Sequence, residues 1–387
     1  MKSVLYTSVL QTPILLLGSL IILVLGFKEL GGWDEMMRVC GAVTVNDYGD
    51  TMTNLIRSND DANFPWLGAL IGSAIIGFWY WCTDQFIVQR VLSGKNEMEA
   101  RRGTIFGAYL KLLPVFLFLI PGMIAFALHQ KYIGAGGEGF LPMLENGTAN
   151  ADAAFPTLVA KLLPAGVKGL VVCGILAALM SSLASLFNSS AMLFTIDFYK
   201  RFRPQTSEKK LVGIGQVATV VIVILGILWI PIMRSVGDVL YTYLQDVQSV
   251  LAPGIAAAFL LGICWKRTSA QGGMWGLISG MVIGLTRLGA KVYYSNAGEV
   301  ADSTFKYLFY DMNWLFFCGW MFLFCIIVVI VVSLATEAPT AEKIQGLVFG
   351  TATKEQKAST RASWNHWDII HTVIILAITG AFYWYFW

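Results

Sequence analysis

Runs of about 20 apolar residues recur along this chain, and that length matches the hydrocarbon thickness of a bilayer. They fall near 5-26, 66-89, 104-128, 167-199, 211-232, 238-264, 273-291, 312-334 and 368-386. Lipid offers no water to pair backbone N–H and C=O groups, so each run must close its own hydrogen bonds as a helix. Of the 387 residues, 56% are hydrophobic and 13% charged, against about 25% charged in soluble chains. The expectation is an all-α membrane protein with about nine transmembrane helices, forming a single transmembrane domain over 1-387. The fourth and sixth runs exceed a minimal span and are expected to tilt or project. The first run lacks a small-residue cleavage site followed by a soluble domain, so it reads as a span rather than a signal peptide.

Charge in the connections orients these spans. Arg90, Lys95, Arg101 and Arg102 follow the second run; Lys200, Arg201, Arg203, Lys209 and Lys210 follow the fourth; Lys266 and Arg267 follow the sixth. Alternating spans put these three connections on one side, and basic loops mark the cytoplasm. The connection after the first run is acidic, with Glu29, Asp34, Glu35, Asp47, Asp50, Asp60 and Asp61. The expected arrangement is a multi-pass protein of the cell's inner (plasma) membrane, N-terminus cytoplasmic and C-terminus external. Two long external loops are expected, from Phe27 to Phe64 and from Gln130 to Lys161, the second holding a short surface helix from Phe155 to Leu163. Trp364, Trp367, Trp384 and Trp387 bracket the last span as interfacial anchors.

Several function classes are excluded. A net charge of +3 gives no case for a nucleic-acid partner. The six cysteines have no CxxC or zinc spacing; five read as small buried hydrophobes and Cys40 as a loop residue. Three histidines are too scattered for a metal cluster. Asn146-Gly147-Thr148 fits the glycosylation pattern, a short pattern common by chance. No Ser/His pair within a span, HExxH motif or paired aspartates suggest catalysis, so the chain is not expected to be an enzyme or to carry a cofactor.

Polar groups at membrane depth are costly and mark function by default. The second span holds Phe78-Trp79-Tyr80-Trp81-Cys82-Thr83-Asp84-Gln85. Aromatic faces pack on sugar C–H faces, and a helix break would expose them to a cavity; the alternative is an interfacial aromatic belt, in which Asp84 and Gln85 are out of place. Lys111 lies inside the third span before Pro114, either donating to hydroxyl groups or snorkelling to the headgroups. Ser181, Ser185 and Ser189 share one helix face in the fourth span. Spacing alone favours a small-residue packing stripe; the other reading is oxygen ligands for a hard cation. The sixth span carries Tyr241, Tyr243, Gln245, Asp246 and Gln248, then Pro253-Gly254, which is expected to kink it. Gln245 suits a sugar hydroxyl, or an interhelical hydrogen bond.

Five stretches together resemble the solute:sodium symporter family, and within it the sodium/glucose cotransporter branch. They run from Trp79 to Asn96, Leu110 to Pro114, Ala178 to Asn188, Leu193 to Tyr199 and Ala252 to Gly262, in the family's order. The resemblance implies the inverted-repeat symporter fold with a broken helix. It implies that Tyr80 stacks on the sugar beside Trp81, that Lys111, Ser185 and Gln245 hydrogen-bond it, and that the Ala178 carbonyl, Ser181 and Ser182 bind sodium. Sodium is then a coupling ion rather than a cofactor, and the partners are a sugar, sodium and the bilayer.

Three departures qualify this. The family has about five more spans before the one that opens here, so most of the first repeat is expected to be missing and Met1 to be an internal methionine of a fragment. Tyr6-Thr7 is followed by Ser8 where relatives often have aspartate, so one sodium per sugar is the simplest expectation. Gly77 stands where relatives can carry a polar sugar contact. The implied function is sodium-driven uptake of a glucose- or galactose-like sugar by alternating access. The alternatives are a myo-inositol or other polyol transporter and a non-transporting sugar sensor.

Overall fold

The computed structural model describes residues 2–144, 147–236, 240–297 and 301–387, with side chains described for all of these except 2–8, 10–11, 232 and 234–236. In chain order the helices are α1 (Lys2–Leu30), α2 (Trp33–Gly41), α3 (Trp66–Cys82), α4 (Gln85–Leu92), α5 (Glu97–Pro114) and α6 (Ile120–Gly134). Next come α7 (Ala154–Leu162), α8 (Ala165–Met192), α9 (Lys200–Phe202), α10 (Glu208–Val236), α11 (Leu240–Cys264) and α12 (Ala270–Asn296). The last are α13 (Thr304–Lys306), α14 (Trp314–Ala335), α15 (Ala341–Ile344), α16 (Lys354–Ala362) and α17 (His366–Tyr385). No sheet forms among the described residues, only isolated bridges.

Seven helical stretches among the described residues are long and apolar enough to cross a membrane, and an eighth is the bent pair α3–α4. The ninth expected span, 273-291, does form a helix, α12, but glycines and the charged Arg287 and Lys291 dilute its apolar character. The third and fourth runs are longer than read, covering Glu97–Gly134 and Ala165–Phe202. Both pass through π-helical turns, Val115–Leu119 and Leu193–Tyr199. The first follows Pro114, whose missing N–H and ring would strain a regular helix; the wider turn, with Ile120 donating to the Val115 carbonyl, absorbs the mismatch. Pro253-Gly254, by contrast, sits inside an unbroken α11.

Two compact units form. The first comprises Met1–Asn54 and Ala108–Ile230. Its core joins Ile22 and Leu30 of α1, Met36 and Cys40 of α2, Ile124 and Leu128 of α6, and Leu158 of α7. The segments expected as polar loops are therefore folded, and the Phe155–Leu163 helix is α7. Cys40, read as a loop residue, is buried, its thiol 3.7 Å from the Met123 carbonyl. Lys131 donates to the Leu30 carbonyl at 3.1 Å, a cation placed at the negative end of α1. Lys161 donates to the Phe140 carbonyl at 2.8 Å and lies 4.7 Å from that ring.

The second unit comprises Leu55–Gly107 and Pro231–Trp387. Here α11, α12 and α14 pack on one another, and α3 packs on α11 and α14. Ile75 and Ile76 of α3 meet Ala252 and Ala256 of α11, and the closest approaches elsewhere are made at glycines. A Cβ at Gly72 would lie 2.9 Å from the Leu315 carbonyl, and one at Gly284 would lie 2.5 Å from the Val250 carbonyl. Small residues let backbones approach this closely, which is how helices gain contact where lipid is as apolar as the side chains. Cys318 and Cys325 are buried in this packing, whereas Cys82, Cys173 and Cys264, also read as buried, are exposed; all six are free thiols. Trp364, Trp367, Trp384 and Trp387 are exposed around α17.

Two outcomes follow from this packing. Gly284→Ala should lower the melting temperature of the detergent-solubilised protein, with overpacking of about 1–3 kcal/mol. Gly273→Ala, on the same helix with open space around its Cβ, should not; equal melting of the two variants would contradict the glycine seam. Burial pushes the Cys40 thiol up to about 11, so roughly one molecule in a thousand carries the thiolate at pH 8. Peptide mapping after maleimide treatment should find Cys40 modified only in denatured protein, and rapid native labelling would contradict its burial.

Candidate functional site

The second unit holds Tyr80, Trp81 and Gln245. The aromatic run ends at a helix break: α3 stops at Cys82, α4 starts at Gln85, and the two axes differ by 50°. Polar groups stitch the break. The Thr83 and Asp84 amides both donate to the Trp79 carbonyl, at 3.0 and 3.2 Å, and the Thr83 hydroxyl donates to the same oxygen at 2.7 Å. The Asp84 carboxylate accepts from the Phe86 amide at 2.8 Å. It caps α4, where a free N–H and the positive end of the helix dipole favour an anion. So Thr83 and Asp84 mark a bend in the span.

Tyr80, in the last turn of α3, is half-buried and Trp81 is 49% exposed. Their rings meet edge to face at 5.2 Å, so each steadies the other's orientation. Gly77 lies one turn earlier, and a Cβ there would meet nothing within 4 Å; the position can carry a side chain. On α11, Gln245 is half-buried and its amide is 3.4 Å from the Tyr241 hydroxyl, a long contact that leaves it able to serve another partner. Helices α3 and α11 pack together, Phe78 against Phe259 at 6.5 Å.

The first unit holds Lys111, Ala178, Ser181, Ser182 and Ser185. Lys111 is exposed, one turn before Pro114 and the π-helical turn. The other four lie within two turns of α8. Ala178 and Ser181 are half-buried, Ser182 is exposed and Ser185 is buried. Ser189 is buried too, and its hydroxyl donates back to the Ser185 carbonyl at 2.9 Å. Helix α8 packs on α1 in antiparallel register: Val171 lies by Gly18, and Ile14 comes within 3.0 Å of where a Gly174 Cβ would be. The small-residue face is therefore partly a packing stripe, most plainly at Ser185 and Ser189. Hydroxyl and carbonyl oxygens are the donor set a hard cation takes. The side chains of Tyr6, Thr7 and Ser8 lie outside the described residues, as does Asn146 of the glycosylation pattern.

The sequence reading passed over Arg287 and Lys291. Arg287 is wholly buried in unit 2, and both cations meet Asp246, the neighbour of Gln245. The signal was present: two cations within an apolar span fall under the same rule that singled out Asp84 and Lys111.

A model described as "Sodium:solute symporter family" matches residues 1–280. The chain belongs to the sodium:solute symporter family. It is 35% identical over 413 residues to the sodium/mannose cotransporter SLC5A10 of Bos taurus, covering 100% of this chain and 68% of the relative. It is 36% identical over 362 residues to the sodium/myo-inositol cotransporter 2 of Homo sapiens, covering 91% of this chain and 54% of the relative. Against the sodium/glucose cotransporter 1 of Ovis aries it is 37% identical over 364 residues, 87% of this chain and 53% of the relative. The chain thus spans about two thirds of the first relative and about half of the other two. Family members are multi-span membrane transporters with sodium as the coupling ion, and these relatives are named as cotransporters rather than enzymes.

The bend itself is open to test. Asp84→Ala should destabilise the purified protein by about 0.5–2 kcal/mol, the worth of a helix cap, while Asp84→Asn should lose much less. Thermal unfolding of both variants checks this, and identical behaviour would mean that the cap does not hold the bend.

Proposed function

We propose that this protein couples inward sodium movement to uptake of a sugar of the glucose or galactose kind, by alternating access. The observation that carries the reading is the helix break at Thr83-Asp84 directly after an aromatic run, in a chain related to sugar and polyol cotransporters. A broken helix frees backbone groups and presents ring faces where a solute can use them. In this reading Tyr80 stacks on the sugar, Trp81 steadies Tyr80, and Lys111, Ser185 and Gln245 hydrogen-bond its hydroxyls. The Ala178 carbonyl with the Ser181 and Ser182 hydroxyls binds sodium. In this reading the 387 residues belong to one transmembrane transporter domain, a fragment of the whole transporter, in the plasma membrane, N-terminus inside and C-terminus outside, as the basic connections suggest. The electrical pull on sodium is worth about 2.3 kcal/mol per charge per 100 mV, which, added to its concentration gradient, drives accumulation.

A second reading is supported by the myo-inositol cotransporter 2 relative, which aligns with 91% of this chain: the solute is myo-inositol or another polyol. Sugars and polyols share the hydroxyl pattern that Lys111, Ser185 and Gln245 would recognise. Competition separates the two. Excess D-glucose, D-galactose or D-mannose should suppress sodium-dependent uptake more strongly than excess myo-inositol under the first reading, and less strongly under the second.

In the protein expressed from its native gene, Ser182→Ala should raise the sodium concentration for half-maximal uptake about fivefold, the worth of one hydrogen-bonding group. Gln245→Ala should raise the sugar KM by a similar factor. Wild-type kinetics in both variants would remove these residues from the site.

A further inference from the structure

The seam between α11 and α12 has a regular register. Gly254 meets Gly280, where a Cβ on Gly254 would lie 3.3 Å from the Gly280 Cα, and Val250 meets Gly284. One turn further back along α11 is Asp246, and along α12 Arg287 lies one turn further on and Lys291 two. Here the glycine contact gives way to charge. Lys291 donates to Asp246 Oδ2, and Arg287 Nη2 lies 3.5 Å from Asp246 Oδ1. Arg287 is tied in further: it donates to the Met312 carbonyl at 2.7 Å and the Leu308 carbonyl at 3.4 Å, and its guanidinium lies 4.0 Å from the Phe317 ring centre. The side chains of Arg287, Asp246 and Lys291 are 0%, 13% and 19% exposed.

One carboxylate thus faces two cations in a low-dielectric setting. Such groups are costly to bury and more costly to leave uncompensated, so Asp246 has little freedom to rotate away. Pro253 cannot donate to the α11 ladder, and Asp246 lies in the half of α11 on its N-terminal side. Gln245 adjoins Asp246 on that half, about 100° round the helix.

We propose that Asp246 is a positioning residue for substrate: held by Lys291 and Arg287, it fixes the rotation of α11 that aims Gln245 at the solute. This rests on the reading of Gln245 as a solute ligand. The ion cluster thus adjusts solute affinity without touching solute. The Asp246→Asn variant removes the charge that ties α11 to Arg287 and Lys291 of α12, so the rotation of α11 is no longer held at this point.

The test is sodium-dependent uptake of radiolabelled D-glucose and myo-inositol, with KM and maximal rate measured separately. Asp246→Asn should raise the solute KM about fivefold, comparable to loss of a hydrogen bond, with sodium half-saturation changed by less than about twofold. Asp246→Glu should recover most of the affinity. Asp246→Asn with Lys291→Gln should also recover part of it, because one unpaired cation is gone. A lower maximal rate and less protein in the membrane at unchanged KM would make the cluster a structural pillar only and overturn the inference. Gln245→Ala separates the two levels. An unchanged KM in that variant overturns the underlying reading, while a raised KM there with an unchanged KM in Asp246→Asn overturns this inference alone.

Discussion

The need to pair every backbone polar group in a solvent without water governs this structure. It makes each long apolar run helical, and it sets the terms on which a helix can be interrupted. At Cys82 to Gln85 the helix turns through 50°, and the groups freed there are taken up by Thr83 and Asp84. At Val115–Leu119 and Leu193–Tyr199 the ladder widens instead of breaking. The interruptions fall beside Tyr80 and Lys111 and at the end of the serine-bearing α8, the places where chemistry was sought.

A second constraint acts on packing. Helices in lipid gain little from hiding apolar side chains from one another, so close backbone approach matters more. Glycines 272, 276, 280 and 284 line α12 at four-residue spacing and are all buried. They bring α11 and α14 into near-backbone contact, with Val250, Gly254 and Val329 as the opposing surfaces. This is also why α12 reads poorly as a span on hydropathy although it lies at the centre of unit 2. Its charged residues, Arg287 and Lys291, meet Asp246 instead of facing lipid.

Much of the fold was legible because apolar run length reports directly on helices in a membrane. Run boundaries were read to within a few residues for α11, α14 and α17. What escaped had physical reasons. The α7 helix was legible, but α2 and the packing of both helices into the core of unit 1 depend on long-range contacts such as Met36, Phe140 and Leu158, which no local pattern announces. Pro253-Gly254 looked like a kink because proline usually breaks the ladder, but Gly254 serves the seam with Gly280. For the candidate site, Tyr80, Trp81 and Gln245 stood out because aromatic and amide groups are conspicuous in apolar surroundings. The serines of α8 were ambiguous in the sequence and stay divided: Ser185 and Ser189 are buried, and Ser182 is exposed. Asp246 was visible, but its partners lie 41 and 45 residues on, a separation that spacing rules do not span.

Coupling between ion and solute is the heart of this account. Linkage requires that if sodium tightens solute binding by some factor, solute tightens sodium binding by the same factor. The most direct measurement is equilibrium binding of radiolabelled D-glucose and myo-inositol to the purified protein, in sodium chloride and in N-methylglucamine chloride at equal ionic strength. The account predicts that sodium markedly tightens binding of at least one of the two solutes. Equal affinity for both solutes in the two salts would contradict sodium coupling.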